Sequence, residues 1–159
     1  ALDNAPHAVA TVGMISASPN SRNTIPGSAF FSADMRHPER EVLDAMDAEF
    51  RRACEDIAQA SGLGVDIVEV SRYQPVAFDE TCIAAVRDAA GKLGYSHRDI
   101  VSGAGHDACY LARVAPTGMI FIPCENGISH AEIENADPAD TAAGCNVLLH
   151  AMVEFAGRP

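Results

Sequence analysis

From Pro38 onward the chain alternates amphipathic helical stripes with short apolar runs, and that alternation confines it to folds in which helices cover a sheet. Behind Pro38, which reads as a helix-starting proline, Leu43, Met46, Phe50, Ala53 and Ile57 recur at spacings of three and four, and the stripe ends near Ser61-Gly62. His37 reads as a helix-start residue. Asp79 caps a second helix with Ile83, Val86, Ala90 and Leu93 on its apolar face and Gly94 at the C-terminal stop. Asp137, Pro138 and Asp140 announce a third, with Cys145, Leu148, Met152 and Phe155 as its stripe. Between them "GVDIVEVSRY", "RDIVSG" and "TGMIFIP" read as strands, and "HDACYLARV" as a helical turn or two. The expected class is α/β.

Upstream, 9–15 and 28–35 are rich in β-formers, and the loop "SASPNSRNTIPG" joins them. The first 73 residues therefore read β-β-α-β. A further βα unit ahead of residue 1 would complete a ferredoxin-like split layer, and the absence of an initiator Met fits either a segment of a longer chain or processing. "YQPVAF" changes the character of the sequence, so Pro75 marks a boundary between 1–73 and 74–159.

Several function classes are excluded by composition. A formal charge of −11 with no Lys/Arg cluster leaves no surface for a phosphate backbone, so nucleic acid is not an expected partner. No run approaches the roughly 20 apolar residues that span a bilayer, and the N-terminus lacks a basic region followed by an apolar core. No membrane association is expected. Cys54, Cys82, Cys109, Cys124 and Cys145 are odd in number and form no C-x-x-C pair, which reads as small core residues in a reducing compartment. The expected location is the cytoplasm.

Ligands of open α/β sheets collect at the carboxyl ends of strands, and two such ends carry polar motifs: "VSGAGHDA" after Ile100 and "CENGISHAE" after Ile122. In the first, the glycines admit close backbone approach and His106-Asp107 stands at a helix start. The motif reads as a ligand loop and as a Gly-rich turn with Asp107 as a cap, and neither reading excludes the other. In the second, His130 with Glu132 and Glu134 nearby is either a surface histidine in an acidic loop or a metal ligand whose ring a carboxylate orients. One histidine makes only part of a site. In "ADMRH" Arg36 can grip a carboxylate with two parallel hydrogen bonds, or pair with Asp34. Asn23 in "PNSRNTIPG" can offer a donor and an acceptor to an amide-like group, or fill an ordinary turn.

Taken in order, "ATVGMI", "PNSRNTIPG", "FSADMRHPE", "SGAGHDA", "PTGMIFIPCENGISHAEIE" and "ADTAAGCNVLLHAM" resemble the amidase/hydantoinase/carbamoylase family of aminoacylase-like metal hydrolases. That family includes N-carbamoyl-L-amino acid hydrolases, β-ureidopropionases and allantoate amidohydrolases. The resemblance implies that 1–73 form most of a ferredoxin-like lid and dimerisation domain, and 74–159 the C-terminal part of a metallopeptidase-like α/β catalytic domain. It implies two divalent ions (Zn, Mn, Co or Ni) in a full-length parent, with His130 as the last metal ligand. It also implies a homodimer joined through the lid, and a small ureido or amide substrate bearing a carboxylate. Asn23, Arg36, Gly105 and His106 fall on the family's substrate-binding positions, and His106 is the candidate for orienting the attacked carbonyl.

One departure qualifies this. The family's other metal ligands and its acid/base glutamate precede the point where this chain begins, so the polypeptide by itself is expected to lack a complete centre and to be inactive. Two other readings are a related aminoacylase or dipeptidase, and a non-catalytic dimerisation or binding module.

Overall fold

Val9–Ser18 (β1) and Ser28–Arg36 (β2) pair antiparallel, with Val9 opposite Arg36 and Ser18 opposite Ser28. The register slips between Val12 and Met14, so Gly13 sits at the irregularity, a position where the missing side chain eases a local kink. The hairpin loop is closed at its base by the Gly27 N–H donating to the Ser18 carbonyl at 2.8 Å. In this computed structural model, which describes residues 2–157, β1 and β2 form the only sheet among the described residues.

The chain divides into two compact units. The first runs to Pro75 and takes in Val101–Gly103; the second comprises Val76–Ile100 and the chain from Ala104. In the first unit Arg40–Ser61 (α1) lies against β2, with the Phe31 and Phe50 rings edge to face at 6.3 Å and Met46 and Ala58 buried. The helix starts two residues after Pro38, and the His37 Nδ1 accepts the Glu39 N–H at 3.0 Å, which gives His37 the helix-start role read from sequence. It stops at Gly62, whose φ of 68° only a glycine adopts without penalty, with the Leu63 N–H returning to the Ala58 carbonyl.

The expected stripe of α1 is corrected at its end. Ala53 is exposed and Ile57 is 67% exposed, whereas Cys54 is half-buried and Ala58 buried. Periodicity marks a face, but covering it requires a neighbour along the whole helix.

In the second unit Glu80–Lys92 (α2) packs on Pro138–Ala156 (α4): Ala85, Ala89 and Ala90 meet Val147 and Ala151, flanked by Val86, Leu93, Tyr95 and Ile120. Both caps are those expected. Asp79 accepts the Thr81 and Cys82 N–H groups, and Asp137 accepts that of Ala139, with Pro138 in the first turn. The face of α4 is another correction. Val147 and Ala151 are buried while Leu148, Met152 and Phe155 are exposed, because the helix is apolar nearly all round and its spacing alone could not choose a side.

Ala108–Leu111 (α3) is a single turn. The three other expected strands, in 64–73, 98–103 and 117–123, form no ladder among the described residues. A strand is defined by pairing, and an apolar run becomes one only beside a partner.

Candidate functional site

In the first unit Arg36 ends β2. Its Nε donates to Asp34 Oδ1 at 2.8 Å and its Nη2 to Asp34 Oδ2 at 2.9 Å, while Nη1 donates to the Gly103 carbonyl at 2.7 Å. Residues two apart on a strand share a face, which is why this pair can form. The fork holds the Asp34 carboxyl below its usual range, and the same hydrogen bond raises Arg36 above its own. Three of the five guanidinium N–H donors are engaged, leaving two on a half-exposed side chain. Asn23 lies on the exposed hairpin loop, its Oδ1 accepting from the Ser21 hydroxyl at 2.8 Å. That bond occupies its acceptor within the loop and leaves the Nδ2 donors without a partner among the described residues.

In the second unit Gly105 and His106 precede α3. A Cβ at Gly105 would meet nothing within 4 Å, and its φ is not positive, so neither local packing nor backbone conformation requires a glycine there. Such openness suits close approach of a ligand. His106 is half-buried with its ring edge-on to Phe121, centroids 5.6 Å apart at 66°. Asp107 stands at the N-cap position of α3, but its side chain makes no capping hydrogen bond.

His130 is exposed, at φ 58°, and its backbone N–H donates to Glu134 Oε2 at 2.7 Å. The carboxylate expected to orient the imidazole therefore engages the main chain. Among the described residues no group of three or more His, Cys, Asp and Glu stands close enough to hold a metal ion. Divalent sites of catalytic type need about three protein ligands. The residues present do not fit a complete metal centre; His130 is one candidate ligand.

The cysteines also differ from expectation: Cys145 is exposed and the other four only half-buried. An open depression of about 240 Å³ is lined by Phe78, Asp79, Ala112, Pro116 and Thr117; of these only Asp79 was singled out from the sequence, as a helix cap, and none of the candidate site residues lines it. Sequence reasoning missed Phe121 as the neighbour of His106, since it lay inside an apolar run, and missed Glu134 as a backbone acceptor. Among the described residues no helix is long and apolar enough to cross a membrane.

Residues 3–154 match the model of peptidase family M20/M25/M40. The chain belongs to that family. Within it, the sequence is 47% identical over 156 residues to an N-carbamoyl-L-amino-acid amidohydrolase from Rhizobium meliloti, covering 98% of this chain and 38% of that protein. It is 35% identical over 146 residues to an allantoate amidohydrolase from Bacillus subtilis, covering 92% and 35%. A crystal structure of an amidase of the hydantoinase/carbamoylase family from Burkholderia multivorans superposes with a TM-score of 0.95 at 57% identity, covering 99% of this chain and 38% of that one. The M20 chain described here thus spans just over a third of the length of these relatives.

Proposed function

We propose that this chain is the substrate-holding part of a metal-dependent amidohydrolase that cleaves linear N-carbamoyl (ureido) C–N bonds of small amino-acid-like acids. The observation that carries this reading is the 47% identity, over nearly the whole chain, to an N-carbamoyl-L-amino-acid amidohydrolase. Family membership alone leaves a peptide bond as an alternative substrate; the activities for which the similar proteins are named favour the ureido group. The reading takes 1–73 as lid and dimerisation domain and 74–159 as the C-terminal part of the catalytic domain. It makes the enzyme a cytoplasmic homodimer using two divalent ions such as zinc or manganese, whose ligands would have to come largely from beyond the described residues.

Each unit then has its own share of the work. In the first, the two remaining N–H donors of Arg36 suit a substrate carboxylate, and the Nδ2 of Asn23 suits a carbonyl oxygen. In the second, Gly105 lets the substrate approach the backbone, and His106, steadied by Phe121, orients the carbamoyl group and donates to the oxygen on which charge develops. Water adds to the carbamoyl carbon, the C–N bond to the amino acid breaks with a proton delivered to the leaving nitrogen, and the carbamate released decomposes to ammonia and carbon dioxide.

The test is a graft. This chain replaces the matching segment of the Rhizobium meliloti amidohydrolase, and the graft is assayed with a divalent ion on an N-carbamoyl amino acid, its N-acetyl counterpart and a dipeptide. Turnover of the ureido substrate that is abolished by His130→Ala supports the reading. A folded graft that cleaves only the acyl or peptide substrates establishes the aminoacylase or dipeptidase alternative instead, and one that dimerises without any turnover leaves a binding module.

A further inference from the structure

The loop that carries His130 is fastened twice. At its neck the Glu125 N–H donates to the Asn135 carbonyl at 2.7 Å, and the Asn135 side-chain amide returns to Glu125 Oε2 at 2.9 Å. At its tip the His130 N–H donates to Glu134 Oε2 at 2.7 Å, and the Glu134 N–H donates to the Ala131 carbonyl at 2.9 Å. The neck joins the two ends of the loop, and the tip fastening acts separately, on the backbone of His130 itself.

At His130 the φ of 58° lies in the left-handed region, where a non-glycine residue is uncommon and persists only if its surroundings hold it there. Asn126 and Gly127 share that region at 54° and 69°, and histidine, like asparagine, enters it more readily than most side chains do, but at a cost that only glycine escapes. Among the described residues the one side-chain bond to the His130 backbone comes from Glu134, and a carboxylate accepting an N–H forms a stronger bond than a neutral acceptor does.

We propose that Glu134 is a positioning residue: its carboxylate holds His130 in the left-handed conformation through which the loop presents the imidazole. One oxygen of the carboxylate, Oε2, is thereby engaged by a main-chain donor. The significance of this for hydrolysis rests on the reading of His130 given above, but the local claim is decided without any activity.

The experiment uses the ¹⁵N-labelled chain and reads two quantities at His130: the amide exchange rate and the ³J(HN–Hα) coupling, which follows φ. Glu134→Ala removes the acceptor, Glu134→Asp keeps the charge but shortens the reach, and Glu134→Gln keeps both the reach and an oxygen acceptor. Alanine and aspartate are expected to speed His130 exchange at least about tenfold and to shift its coupling, while the Glu125 amide at the neck stays as protected as before. Glutamine is expected to restore the coupling and most of the protection, a rescue that a merely packing role would not produce. Should the alanine variant fail to fold, the aspartate and glutamine pair decides alone. Exchange and coupling at His130 within about twofold of wild type in the aspartate variant, or loss of protection equal at tip and neck, overturns the proposal. The graft bearing His130→Ala tests the hydrolase reading independently, so the two can fail separately.

Discussion

Arg36 closes a two-pronged ion pair on Asp34, two residues back along the same strand, with Nε–Oδ1 at 2.8 Å and Nη2–Oδ2 at 2.9 Å. The guanidinium presents a planar fork and a carboxylate fits it, so the pair is bidentate where a lysine would make a single contact. Both side chains are about half exposed, and the pair is worth well under about 1 kcal/mol of stability after solvent screening. Its consequence is orientation: Asp34 sets the plane in which Arg36 offers its remaining donors.

The depressed Asp34 carboxyl gives the first prediction. A carboxyl whose folded value lies below its unfolded one contributes above the unfolded value, about 3.9, and the contribution is lost as pH falls through the folded value. The window is therefore acidic, below about pH 4. NMR titration of the Asp34 carboxyl should place its midpoint below that of a free aspartate, and Arg36→Gln should bring it back up. An Asp34 midpoint unmoved by that substitution means the hydrogen bond is not the cause.

Arg36 and His106 should separate kinetically in the graft. Arg36→Lys keeps a charge but loses the fork, so kcat/KM for an N-carbamoyl amino acid should fall about 10–100-fold, chiefly through KM. His106→Ala should instead lower kcat, by about 10²–10³-fold, since a donor to the developing oxyanion acts mainly in the transition state. Phe121→Leu, which removes only the edge contact at 5.6 Å, should cost less than His106→Ala. The reverse pattern, a KM effect at 106 and a kcat effect at 36, contradicts the assigned roles.

How far these features could be read from the sequence depended on whether they were local. Asp79, Asp137 and Gly62 cap their helices because a side-chain oxygen beside free N–H groups, or a glycine at positive φ, is a property of neighbours in the chain. The Arg36–Asp34 pair was legible as an alternative for the same reason. The three missing strands were not: "VDIVEV" and "MIFIP" carry the right residue types, yet pairing is a long-range relation that composition does not contain. The face of α4 depended on which side met the alanines of α2, again a tertiary fact. At the site, the histidines were visible as residue types, but nothing in "GISHAEIE" announces a left-handed backbone at His130 or the use Glu134 makes of it.

Packing of the second unit should fail at a glycine. A Cβ built on Gly144 lies 2.7 Å from the Ile122 Cγ2, a branch at the β-carbon that cannot swing aside like the end of a long chain. Alanine within a helix gains roughly 1 kcal/mol over glycine, but overpacking costs roughly 1–3 kcal/mol. Gly144→Ala should therefore lower the urea midpoint with m unchanged, and pairing it with Ile122→Ala should recover part of the loss. A higher midpoint for the single variant would show that Ile122 yields more easily than its branching suggests.

The segment 64–73, which makes no ladder, is fastened to α1 by charge. Arg72 reaches Asp44 and Asp47 at 2.6 Å each and Glu69 at 2.9 Å, and Arg51 joins Asp47 and Glu69 from the helix. The hydrogen bond to Glu69 is the leading cause that lowers the Glu69 carboxyl and raises Arg72. Removing Arg72 leaves three carboxylates converging, with Arg51 beside Asp47 and Glu69 and Arg40 at 3.8 Å from Asp44 but both of these cations on the helix, so the segment should detach more often. The exposed Tyr73 next to it offers a readout, because chymotrypsin cleaves after tyrosine once the backbone can enter its cleft. Arg72→Gln should accelerate that cleavage several-fold after correction with a synthetic peptide spanning 64–78, which absorbs any subsite preference. At about 1 M salt the screening length falls to about 3 Å, so wild-type cleavage should rise towards that of the variant while the variant changes little. Equal salt responses in the two proteins would mean that the exposed valines of the segment, and not its arginine, decide how it is held.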